Sequence, residues 1–171
     1  MLKSSIYILI LFASSNLFSQ ENYTKLPSAK TQNPSYIFNK NIIGSEILLI
    51  SLGNSEEERR KKVKEMSVLK GKPKKGVDDY FNLSEYGLIF VVLNKELVCK
   101  TQSELNNFFD LNPQNEIYID GYLLESKKYE IALASIVEIE LIEPSVNNKL
   151  KNKTLNIWNL NKKERYELKQ Q

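Results

Sequence analysis

The residues best equipped for chemistry in this chain are carboxylates, because it contains no histidine. That removes imidazole general bases, histidine-activated serine or cysteine nucleophiles, and histidine-rich zinc sites. Asp120 draws the eye. In "NEIYIDGY" (residues 115–122) apolar residues alternate and run into Asp120-Gly121, which can be a catalytic carboxylate at a strand end or an ordinary tight turn. Catalysis by carboxylates, or metal binding, requires partners at suitable places, and the sequence offers Asp120 none. Asp hydrogen-bonding its own backbone and Gly taking positive φ account for both residues, so the expectation is a turn.

Asp78-Asp79 reads the same way, since "GVDDYFNLSE" lacks the spaced oxygen ligands of a calcium loop. Cys99 is the single cysteine, so it closes no disulfide within the chain, and in "KELVCK" it reads as a small buried side chain rather than a reactive thiol. Lys61, Lys62, Lys64, Lys70, Lys72, Lys74 and Lys75 form the main basic concentration. They can meet phosphates or an acidic partner, but they lack the Gly-Lys-Ser/Thr ending of a P-loop, and a solvated surface is the simpler reading. Trp158, Tyr118 and Tyr122 could stack on a sugar, although aromatic residues in strands are more often core. No catalytic, cofactor-binding or metal-binding residue is singled out, and no cofactor is expected. With 24 basic against 21 acidic residues, the charge balance gives no argument for a nucleic-acid partner.

The elements that must position these residues begin behind an N-terminal leader. Residues 1–20 have a short positive start, the apolar run "IYILILFA" and the small, polar "SSNLFSQ", the layout of a signal peptide too short to span a bilayer. Cleavage is expected near Gln20, with no adjacent cysteine for a lipid anchor. No transmembrane segment is expected after signal removal. Residues 21–35 read as a flexible linker. "YIF" (36–38) and "SEILLISL" (45–52) read as strands. Ser55 and Glu58 have capping-box spacing, and Glu56/Arg60, Glu57/Lys61 and Glu58/Lys62 support a solvated helix.

"YGLIFVVLN" (86–94) is a continuous apolar run and should be a central strand. Thr101 and Glu104 form a second capping box, before a helix with Leu105, Phe108 and Phe109 on one apolar face. After the "EIYIDG" strand, Ser126 can cap a helix in which Tyr129, Leu133 and Ile136 recur. "VEIELI" (137–142) alternates as a strand, with "TLNIWNL" (154–160) as its antiparallel partner. The charged tail, residues 161–171, is expected to fray.

The order strand, turn, helix, strand, loop, strand occurs twice. Both halves resemble the end of the plug domain of TonB-dependent outer-membrane receptors of Bacteroidetes-like type. "YIDG" (118–121), "IVEIELIEP" (136–144) and "LNIW" (155–158) carry the likeness in the second half, and "SVLKGKP" (67–73) and "YGLIFVVL" (86–93) in the first. The first half departs from it at Asn39-Lys40, where Asp-Gly would stand, and the second lacks the Tyr-Gly loop. No TonB box is recognisable, and the chain is too short to form the barrel as well.

The expected fold is therefore α+β, as two small βαββ-like plug-type modules at 36–99 and 100–160, whether or not they share one sheet. The resemblance implies an exported, non-enzymatic protein of the periplasm or outer membrane that binds another envelope protein. The alternatives are a binder of a small ligand or glycan, expected to show a cleft with exposed Tyr or Trp, and an enzyme relying on two facing carboxylates.

Overall fold

A computed structural model describes residues 23–28 and 33–167 of the 171-residue chain; the signal-peptide expectation lies outside these residues. The α+β expectation is met by ten strands in two sheets, with short helices. The first half contributes β1 (Ser35–Phe38), β2 (Ile42–Gly44), α1 (Glu46–Ser51), α2 (Glu56–Lys62), β3 (Val63–Val68) and β4 (Leu88–Leu93). Then come β5 (Cys99–Thr101), α3 (Gln102–Phe108), β6 (Ile117–Ile119), β7 (Tyr122–Leu123), β8 (Glu130–Ala132), β9 (Glu138–Ile142), β10 (Thr154–Trp158) and α4 (Lys162–Glu167).

The first sheet runs β3-β4-β1-β2-β8-β5, and the second runs β7-β6-β10-β9. The second, read backwards, repeats the first four strands of the first. In each, a tight hairpin (β1/β2 or β6/β7) lies parallel to the last strand (β4 or β10), and that strand pairs antiparallel with the one before it (β3 or β9). The registers Phe38↔Val91↔Met66 and Ile119↔Ile157↔Ile139 make Phe38 equivalent to Ile119, Val91 to Ile157, and Met66 to Ile139. As expected, "YGLIFVVLN" supplies an interior strand, and "TLNIWNL" pairs antiparallel with "VEIELI".

Strand alternation distributes the apolar residues over two cores. Phe38, Val91 and Leu93 lie beneath Leu48 of α1 and Leu52 at its C-terminal end. On the other face of that sheet, Ile37, Ile43 and Leu88 pack against Ile117, Ile119, Leu155 and Ile157 of the second sheet. The two halves therefore share one core. They also share a sheet, because β8, from the second half, and β5, which straddles the boundary between the halves, extend the first sheet past β2.

Several expectations are corrected. Residues 45–52 are not a strand: α1 occupies Glu46–Ser51, and Leu48 and Leu52, one helical turn apart, are buried while Ile47 and Ile50 are exposed. The strand ends at Gly44, where a Cβ would stand 2.6 Å from the buried Phe38 ring. The helix expected after Ser126 is instead β8 and a 3-10 turn, Leu133–Ser135; the slot between β2 and β5 claims Ile131, which is fully buried.

Phe108 is 80% exposed, and α3 turns Gln102, Leu105 and Asn106 inward. The supposed linker is in part a structural strap: Lys25 bridges to Tyr122, Leu26 is buried, and Thr24 and Leu26 exchange main-chain hydrogen bonds with Leu123 and Gly121. In the tail, Arg165 is buried, lies 4.3 Å from the Trp158 ring and bonds Glu138 at 2.6 Å. The helical charge pairs Glu56–Arg60 and Glu57–Lys61 form, whereas Lys62 turns to the Leu52 carbonyl.

Candidate functional site

Asp120 and Gly121 have φ of 51° and 88° and form the two-residue loop between Ile119 and Tyr122, the backbone of a type I′ hairpin turn. The Asp120 N–H donates to the Ile157 carbonyl at 2.9 Å, and its Oδ1 accepts from the Asn159 N–H at 2.8 Å. In the first repeat, Asn39 and Lys40 also have positive φ, 47° and 79°. There the Asn39 N–H donates to the Val91 carbonyl at 2.8 Å, and Asn39 Oδ1 accepts from the Leu93 N–H at 2.8 Å. The two side chains latch equivalent strands by equivalent bonds. An amide does in one repeat what a carboxylate does in the other, so the position requires an acceptor oxygen and tolerance of left-handed backbone, not an ionisable group.

Asp120 also lines an open cleft where the two repeats meet. Tyr36, Gly44, Ser45, Glu46, Ile47 and Asn159 are among its walls, and its volume is about 120 Å³. Ser45 Oγ and Asn159 Oδ1 are buried there without a hydrogen-bond partner among the described residues. The volume falls well below the roughly 300–1,000 Å³ of small-molecule pockets. Asp120 and Glu46 both border this space, but Asp120 holds the turn and Glu46 is exposed at the mouth.

The remaining sequence candidates lie apart. Trp158, Tyr118 and Tyr122 are each under 5% exposed, so none offers a ring to a sugar. Tyr118 is pushed up to about 12 by burial, with the Glu116 carboxylate adding to it. Burial raises the Tyr122 phenol further, and its hydroxyl donates to Glu85. Lys25 Nζ, 2.7 Å from both Glu85 oxygens, closes a three-residue clasp that the sequence reading missed, since Lys25 and Glu85 are far apart in the chain.

Asp78 accepts from the Lys74 N–H at 2.7 Å, and Asp79 pairs with Lys128. No group of acidic or cysteine ligands that could hold a metal is present among the described residues. Cys99 is half-buried on β5, and burial, then the nearby Glu130 carboxylate, pushes its thiol up and away from reactive thiolate.

The surface feature that stands out is the outer edge of β3. Among the described residues its neighbour in the sheet is β4 alone, and Met66 and Val68 are 52% and 62% exposed. Lys64, on the strand, and Lys70, Lys72 and Lys74, just after it, are all exposed.

These features define an α+β protein built on a four-strand order used twice, with an open, basic sheet edge. Comparison with protein-family models, curated proteins and solved structures finds no match to the chain. No helix among the described residues is long and apolar enough to cross a membrane.

Proposed function

We propose that the protein is an exported, non-enzymatic interaction module of the cell envelope, plug-like in type, that binds another envelope or outer-membrane protein. The observation that carries this reading is the six-residue outer edge of β3, with which no strand among the described residues pairs, a ready template for main-chain pairing. The motif segments behind the family resemblance also fall on corresponding elements. "SVLKGKP" covers the end of β3, "YGLIFVVL" contains β4, "IVEIELIEP" contains β9, and Asp120-Gly121 is the β6–β7 turn.

Binding of a small ligand or glycan has less support: the cleft is small and Trp158, Tyr118 and Tyr122 are buried. The test is affinity isolation of the tagged protein from the envelope of cells that make it. Co-isolation with an outer-membrane β-barrel is the expected result, and recovery of a lone soluble protein overturns the reading.

A further inference from the structure

The geometry points to the occupant of the β3 edge: an extended, acidic segment of a partner protein, added as a seventh strand to the first sheet. This inference rests on the interaction-module reading and names the chemistry of the partner.

Main-chain geometry comes first. The Leu69 N–H donates inward to the Leu88 carbonyl at 2.9 Å, and the antiparallel register places Leu69 opposite Leu88, Ser67 opposite Phe90 and Glu65 opposite Val92. Bonded and outward-facing residues alternate in such a ladder, so Met66 and Val68 direct their N–H and C=O groups away from the sheet.

Side chains supply the second element. Val68, Ile89 and Tyr36 stand side by side across three strands, and Met66 stands beside Val91 in the next row. These rows lie on the face packed against α1, and at β3 they run out to solvent. The repeat offers an internal comparison: Ile139, the equivalent of Met66, packs against the shared core. An added strand with apolar side chains on that face extends the rows and covers Met66 and Val68.

Charge selects the sequence of the added strand. Lys64, Lys70, Lys72 and Lys74 make no ion pair with the described residues, and Glu65 is the one carboxylate on β3. Lysines on an edge also keep copies of the chain from pairing through it, because like charges face each other across the join. The same field attracts an anionic strand.

The other edges fit an acidic segment less well. β5 has three residues and leads directly into the capped α3. β9 carries Glu138 and Glu140. The outer side of β7 is bridged by Lys25.

The test uses the full chain and two peptides of β3's six-residue length, one alternating Glu and Val, the other Lys and Val. By fluorescence anisotropy the Glu-Val peptide should bind at least about tenfold more tightly, and methylating its alternate amide nitrogens should cost about tenfold. Met66→Pro removes one outward N–H while sparing the inward ladder, and should remove binding with the circular dichroism spectrum unchanged. Replacing Lys64, Lys70, Lys72 and Lys74 by Glu should invert the preference between the peptides.

Equal binding of the two peptides, insensitivity to amide methylation, or displacement of the Glu-Val peptide by inorganic phosphate overturns the proposal. So does self-association of the chain that Met66→Pro abolishes. If envelope co-isolation survives the four lysine replacements, this edge is not the docking place and the module reading stands. If the Glu-Val peptide binds but no envelope protein co-isolates, the edge inference stands and the module reading fails.

Discussion

Asp120, read in the sequence as part of a turn, is structural in the fold, and Asn39 shows why. Each side chain accepts a main-chain N–H at 2.8 Å from the residue two beyond the one whose carbonyl its own N–H meets, and each sits at positive φ. Asp120→Asn retains acceptor and backbone preference, and should change unfolding free energy by no more than about 0.5 kcal/mol. Asp120→Ala leaves the Asn159 N–H without its acceptor and places an unsuited residue in the left-handed region; a loss of about 1–3 kcal/mol is expected. Denaturant titration of both variants checks this. Equal losses for Asn and Ala would mean that the charge itself matters. The turn was legible because Asp-Gly has a local mechanism; Asn39-Lys40 was placed at the corresponding position but read as a departure, since the equivalence lies in the bonds made and not in the residue types.

Among the elements, those with local causes were read correctly. The Thr101–Glu104 capping box forms in full, with Thr101 Oγ1 accepting the Glu104 N–H at 3.1 Å and Glu104 accepting the Thr101 N–H at 2.9 Å. The Lys100 ammonium first, and the Thr101 donors after it, lower the Glu104 carboxyl from 4.5 to about 2. A carboxyl held low in the folded state stabilises fully above its unfolded value and loses that contribution as pH falls toward the folded one. Glu104→Gln keeps the cap but does not titrate. The wild-type advantage in thermal midpoint should therefore be constant above pH 4.5 and shrink between 4.5 and about 2. A difference that does not vary with pH would exclude this role. Elements without local causes were misread: "SEILLISL" has the β-branched content of a strand but becomes α1, and Tyr129, Leu133 and Ile136 have helical spacing but flank β8. In each case a neighbouring strand decided the outcome, since β2 ends at Gly44 and β8 fills the slot beside it.

For the whole molecule, the repeat does not make two independent units. One face of the first sheet packs on the second sheet, and β8 and β5 complete the first sheet from beyond β4. Residues 36–99 and 100–160 produced separately should each lack a cooperative thermal transition, because each exposes the shared core and the first loses two strands. The intact chain should melt in a single step. Circular dichroism melts of the three proteins check this, and a sharp transition in either half would show that the interface is not needed for folding.

Composition and local pattern were enough to establish the α+β class, the absence of histidine chemistry, the capped α3, the interior position of β4 and the Asp120-Gly121 turn. These follow from residue type and from neighbours within about one turn or one strand. Tertiary structure alone decided that Asn39 and Asp120 do the same work, that Trp158, Tyr118 and Tyr122 are buried and that Arg165 is drawn in over Trp158. Among the described residues it also left β3 with a bare edge while a strap covers β7. The physical reason is that burial and edge exposure depend on which strands become neighbours in space, and strand pairing joins residues too far apart in the chain for local pattern to register.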